Sequence, residues 1–478
     1  MTAPRETHVD EPGGSRPLEI EERSIEPIPE SERHGRPRDQ FTLWFAANCT
    51  ALNIFFGGLA ISLGLSFGVA VLAIVLGTVV GSGISAIHAQ QGPRLGVPQL
   101  VQSRGQFGYF GAVPLFAALI VMEFGFMAAQ VVIQAFSLHQ AVSSIGVVGW
   151  MLIVAIPVLV LTLFGHDLVH AWQKIATIGL VISAVILTVQ VLAFKHAAVI
   201  HAPKFSSVTF LAVTVIFVIN TAAWAPNISD YSRYLPKNTS FRSGFNAVFW
   251  GMNIAVFAFA ILGARIVSML PSDNLYQAVQ TVSGKWFLIV MGISLTGTNA
   301  INVYTGALSL LSGVESFGKI RFNAAHRIIA CLLVLIAGMI CALTGYHSFL
   351  NRFVEFLDVL AFIFLPWSAI NILDFYFFRG GNYDVNSLYT PRGIYGRFQP
   401  LPVICYLLGI GVELLFLDQA FYVGPLLSVV GGNDISWILG FVVPLVTFWA
   451  LGSVFGRRDK TAKAQPSPSS ATVPSTST

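Results

Sequence analysis

The sequence predicts an all-α polytopic membrane protein with twelve transmembrane helices. Three observations carry that expectation. The chain divides into twelve apolar blocks, most of them about 17 to 25 residues long, enough to cross a hydrocarbon core as helices. Its composition is 55% hydrophobic and only 10% charged, with a mean hydropathy of +0.72, outside the range of soluble domains. Its lysines and arginines are sorted onto alternate loops. In lipid every backbone amide must find its partner within the segment, which selects helices.

The polar, Pro/Glu/Arg-rich segment 1–40 reads as a disordered cytoplasmic tail. It lacks an apolar stretch near its start and so is not a cleavable signal peptide. The blocks begin at Phe41, Phe67, Phe110, Val147, Ile175, Val208, Phe245, Trp286, Ile328, Phe353, Leu401 and Ile435. Residues 457–478 are Ser/Thr/Pro/Ala-rich and read as a second disordered cytoplasmic tail. The N-terminal tail, the C-terminal tail and the even-to-odd loops hold 22 of the 27 basic residues. Only Lys195, Lys204, Arg265, Lys285 and Arg352 fall on the other side. By the positive-inside rule both termini face the cytoplasm of a plasma (inner) membrane. The net charge of +4 reports this bias, and no basic stripe suggests a nucleic-acid partner. Cys49, Cys331, Cys341 and Cys405 lie in apolar blocks without paired spacing and read as small core residues.

Two blocks are interrupted. Block one reads LWFAANCTALNIFFG, with Asn48, Thr50 and Asn53 at mid-membrane. Block six ends VINTAAWAPNISDYSRYLP, with Pro226 inside it. Proline lacks an amide hydrogen and opens the helix there. Broken backbone at membrane depth is tolerated where it lines a cavity. Interruptions at corresponding places in two halves point to a central solute site. Blocks one and six are five apart, so helices one to five (41–194) and six to ten (195–378) read as inverted repeats. Helices eleven and twelve (379–456) are additional.

Certain side chains could meet a flat, polar-edged ring. Glu123, Phe126 and Gln130 share one face of block three, at i, i+3 and i+7. Thr298 and Asn302 are four apart on block eight. Trp224 and Phe126 could offer aromatic faces, and Gln130 and Asn302 amides with both donor and acceptor. The pair His166 and His170 in HDLVH has the spacing of helical zinc ligands. Asp167 stands where a zinc protease needs glutamate, and no third ligand is evident, so a metal enzyme is disfavoured.

Four stretches resemble the nucleobase:cation symporter-1 family, the purine–cytosine permeases. They are GPRLGVPQLVQSRGQFGYFG after block two, FGHDLVHAWQKI after block four, WAPNISDYSRYLP leaving block six, and TGTNAINVYTGALS in block eight. The resemblance spans roughly Arg38 to Phe378 and implies the LeuT-type fold. It also implies a substrate site at Phe126, Gln130, Trp224 and Asn302, with Asn48 and Thr298 beside it. The family often has tryptophan where Phe126 stands. The expected function is a secondary active transporter importing a nucleobase or related heterocycle, cytosine or a purine first, by cation-coupled symport with alternating access. Catalysis, resident cofactors and bound metals are not expected. The family couples to sodium or protons. A sodium seat would use carbonyls near Ala47 with the hydroxyls of Thr296 and Thr298. A proton would use Glu123, and the proton is favoured. An amino-acid permease of the same fold is the alternative. Its carboxylate ligand would want a glycine-rich break, which AANCT does not supply.

Overall fold

The computed structural model describes residues 25–164, 166–194, 205–270, 274–318, 323–419 and 422–455. All twelve apolar blocks are helical among them. Block one is α1 (Pro37–Asn48) and α2 (Ala51–Ser62), bent by 53° at their junction. Block two is α3 (Phe67–Ile87), followed by the short α4 (Gln91–Leu95) and α5 (Gln99–Phe107). Blocks three to five are α6 (Val113–Ala141), α7 (Val147–Phe164) and α8 (His166–Ala193). Block six is α9 (Ser207–Ala222), a single 3-10 turn at Ala225–Asn227, and α10 (Ile228–Ser232). Block seven is α11 (Phe241–Ser268), followed by the short α12 (Leu275–Ser283). Block eight is α13 (Lys285–Ser294) continued by α14 (Thr296–Glu315). Blocks nine and ten are α15 (Ala324–Gly345) and α16 (Phe349–Ile372). After α17 (Val385–Leu388) come α18 (Pro400–Phe416) and α19 (Ser436–Val454), blocks eleven and twelve.

The packing carries the repeat. The first group joins α1, α2 and α3 with α9 and α11; the second joins α6 and α7 with α13, α14 and α15. Exchanging each span with its counterpart five later turns the pairing of spans one and seven into that of six and two. Both are extensive, as α1 and α2 on α11 and as α3 on α9. The same exchange turns three-on-nine (α6 on α15) into eight-on-four (α14 on α7), again both present. An offset of five reverses direction, so the repeat is inverted. The LeuT-type architecture expected from the sequence is the fold observed, with α18 and α19 packed on α16.

Glycine sets the closeness of the first group. A Cβ on Gly57 would lie 1.8 Å from the Ala260 carbonyl oxygen, and one on Gly263 would lie 2.0 Å from that of Ile54. Backbones α2 and α11 therefore touch, as small residues allow in lipid. Gly57→Val is expected to prevent folding, read as loss of the monodisperse peak in fluorescence size exclusion.

Two expectations need correction. Residues 25–40, assigned to a disordered tail, are ordered. Ile25 and Ile28 are buried, Ile28 N donates to Gly96 O at 2.9 Å, and His34 N donates to Tyr234 O at 2.6 Å. Two isoleucines give the polar segment an apolar anchor that its average composition hides. Lys237 donates to Glu30 at 2.6 Å, and that hydrogen bond and charge hold the Glu30 carboxyl below its usual range. Residues 1–24 and 456–478 lie outside the described residues. The stretch HDLVHAWQKI opens α8; the side chains of His166 and His170 are outside those described. Cys341 is exposed on α15 and is not a core residue, while the other three cysteines are buried.

Candidate functional site

The break in block one arises because Cys49 and Thr50 leave helical geometry, with Thr50 extended at φ −138° and ψ 155°. A helix end leaves carbonyls without partners, and here side-chain amides supply them. Asn53 Nδ2 donates to Asn48 O at 2.6 Å, and Asn48 Nδ2 donates to Trp44 O at 2.9 Å. Asn220 Nδ2 on α9 donates to Asn53 Oδ1 at 2.8 Å, tying one broken helix to the other. In block six the loosened turn around Pro226 presents Asn227, whose Nδ2 donates to Glu123 Oε1 at 2.7 Å.

A cavity lies between these breaks. Ala47, Asn48, Thr50, Leu52 and Asn53 line it from block one, and Met122, Glu123, Phe126 and Gln130 from α6. Asn220, Ala223, Trp224 and Asn227 come from block six, and Thr298 and Asn302 from α14. Its empty volume is about 410 Å³. Toward the start of α1, Trp224 meets Trp44 edge-on at 5.4 Å, and Trp44 meets Tyr231 at 5.7 Å. On the opposite side, Phe126 meets Phe356 and Phe353 of α16 edge-on at 5.6 Å and 6.3 Å. Aromatic side chains thus back the Trp224 and Phe126 walls of the cavity.

Four polar atoms on its wall are buried without a protein partner: Gln130 Oε1, Asn227 Oδ1, Thr298 Oγ1 and Asn302 Nδ2. Leaving such atoms unpaired costs roughly 1–3 kcal/mol each, so whatever occupies the cavity gains by offering them matching donors and acceptors.

Asn48, Phe126, Gln130, Trp224, Thr298 and Asn302, expected from the sequence to bind a substrate, all meet at this cavity, with Ala47 and Glu123 beside them. Thr296 does not reach it. Its hydroxyl accepts from Gln134 Nε2 at 3.1 Å, whereas Ala47, Thr298 and Glu123 line the cavity. Sequence reasoning missed Asn220 and Asn227, although both stand in the stretch that flagged the break, and also Gln134, Asn299 and Gln173. Asn299 Nδ2 donates to Gln134 Oε1 at 2.8 Å, fixing α14 on α6. Asp230 accepts from Gln99 N at 2.8 Å at the start of α5.

Residues 27–440 match the family model described as permease for cytosine/purines, uracil, thiamine, allantoin. The chain belongs to this family. It is therefore a multi-pass membrane permease and not an enzyme. The permease is 35% identical over 444 residues to the putative purine-cytosine permease YxlA of Bacillus subtilis, covering 91% of this chain and 96% of that one. It is 23% identical over 471 residues to the purine-cytosine permease fcyB of Emericella nidulans, covering 91% and 88%. Its fold is similar to that of MHP1, a nucleobase-cation-symport-1 family transporter solved in a closed conformation with bromovinylhydantoin bound. The TM-score is 0.74 at 17% identity, over 92% of this permease and 98% of that chain.

Proposed function

We propose that this permease imports a nucleobase or closely related planar heterocycle, with cytosine or a purine first, by cation-coupled symport and alternating access. One observation carries the reading: the cavity between two broken helices offers aromatic faces (Trp224, Phe126) and four unpartnered polar atoms on Gln130, Asn227, Thr298 and Asn302. A ring stacks on the faces, and its edge pairs with the amides, each able to give and to accept. A solute whose edge fails to match leaves buried amides unpaired, which makes the same atoms the source of discrimination. The relatives, described as purine-cytosine permeases, support this reading. An amino acid is a poorer fit: no Lys or Arg lines the cavity, and AANCT lacks the glycines that would bare amide hydrogens to a carboxylate.

The coupling ion in this reading is the proton, carried by Glu123. That carboxyl lies on the cavity wall and touches the broken part of block six through Asn227. One group thus meets the substrate space and the element that must rearrange. The distribution of basic residues supports a plasma-membrane orientation with both termini in the cytoplasm.

Radiolabelled cytosine, adenine, hypoxanthine, uracil, allantoin, pyridoxine and leucine would be offered to cells expressing the protein, with and without a protonophore. The expected result is saturable uptake of one or a few heterocycles, collapsed by the protonophore and uncompeted by leucine. Uptake of leucine with no heterocycle would remove the proposal.

A further inference from the structure

We propose that Gln173 is a built-in neutral substitute for a coupling cation at the break in block one, so that this permease neither binds nor needs sodium. The transport half rests on the function proposed above; the ion-binding half does not.

The end of α1 is the natural seat for a cation. It is the negative pole of a helix dipole with carbonyl oxygens left bare by the break, and a sodium ion would gather those oxygens with hydroxyls of α14. Here three of those oxygens have protein donors. Cys49 N donates to Phe45 O at 2.8 Å, and Thr50 N and Asn53 Nδ2 donate to Asn48 O. Ala46 O lies between them in sequence, and Gln173 Nε2 of α8 donates to it at 2.7 Å. An amide N–H aimed at a carbonyl presents partial positive charge in the position a cation would take. It satisfies Ala46 O without an ion.

The opposite wall is shaped for the same amide. A Cβ on Gly297 would lie 2.2 Å from Gln173 Oε1. Only glycine at that position of α14 leaves room for the glutamine head, and glycine contributes no hydroxyl of its own. The adjacent hydroxyl, on Thr296, is engaged by Gln134 Nε2. Gln173 is itself buried, 4% exposed. Gln173 and Gln134 thus engage Ala46 O and the Thr296 hydroxyl, two of the oxygens a sodium seat here would use. Gln173 is a positioning residue: it fastens the end of α1 and touches no part of the proposed substrate space.

The purified protein would be heated in detergent with sodium chloride or with choline chloride at equal ionic strength. The wild type is expected to melt at the same temperature in both, and to retain no radioactive sodium in a filter-binding assay. Uptake of the transported heterocycle in proteoliposomes should be unchanged when choline replaces sodium. Gln173→Leu keeps volume but removes the donor, and should lower uptake about tenfold. Gln173→Lys restores a donor to Ala46 O and should recover most of it, a rescue that loss of packing alone would not give. Saturable stabilisation of the wild type by sodium would overturn the proposal, as would wild-type uptake by Gln173→Leu. A protein indifferent to sodium that takes up no heterocycle would defeat the transport reading and leave the absence of a sodium site supported.

Discussion

Gln130→Ala and Asn302→Ala are each expected to weaken substrate binding by about tenfold to a hundredfold, and together to abolish uptake. The magnitude follows from a buried hydrogen bond to a ring edge, worth roughly 1–3 kcal/mol where the alternative is an unpaired group. Neither Gln130 Oε1 nor Asn302 Nδ2 has a protein partner, so truncation removes no bond that these atoms make within the fold. Folded yield and surface expression should stay normal. Asn53 offers the contrast. Its side chain donates to Asn48 O and accepts from Asn220, so Asn53→Ala should lower thermal stability as well as transport. Competition uptake together with a thermal melt separates the two kinds of loss. Normal transport by the Gln130→Ala/Asn302→Ala double variant would put the binding site elsewhere.

The twelve helices were legible because lipid imposes one rule on every segment: an apolar run long enough to cross must bond its own backbone. The breaks were legible for the converse reason. Asn48, Asn53 and Pro226 conflict with an unbroken helix in hydrocarbon, and the structure resolves the conflict by opening both helices onto one cavity. Helical spacing then grouped Glu123, Phe126 and Gln130 correctly, since residues on one face of α6 must point the same way. Contacts between distant helices were not legible. Nothing near Gln173 in the chain announces Ala46, 127 positions away, as its partner. The polar segment ending in Arg38 hid its docking because two isoleucines, Ile25 and Ile28, are too few to shift an average. Thr296 and Thr298 looked equivalent as ion ligands, but two residues along a helix turns a side chain by about half a revolution. One hydroxyl faces the cavity and the other faces Gln134.

Glu123→Gln is expected to abolish accumulation while leaving exchange of labelled substrate intact. Glutamine keeps an oxygen that can accept from Asn227 Nδ2, the 2.7 Å bond that fixes this side chain, so the cavity should hold its shape. What disappears is the ability to take up and release a proton. A carrier loaded by protonation works faster as the external pH falls, and the wild type should show that slope; the variant should be flat. One positive charge crossing 100 mV is worth about 2.3 kcal/mol, enough for roughly fiftyfold accumulation. In energised vesicles the inside-to-outside ratio should therefore fall from tens to one. The variant should also ignore a protonophore, while counterflow in preloaded vesicles continues near the wild-type rate. Counterflow needs binding and the rocking of the two helix groups but no net proton movement, and this is what distinguishes lost coupling from lost folding. If Glu123→Gln still concentrates substrate and still responds to the protonophore, the proton travels by another group, and Asp230, one turn beyond Asn227, becomes the carboxyl to test.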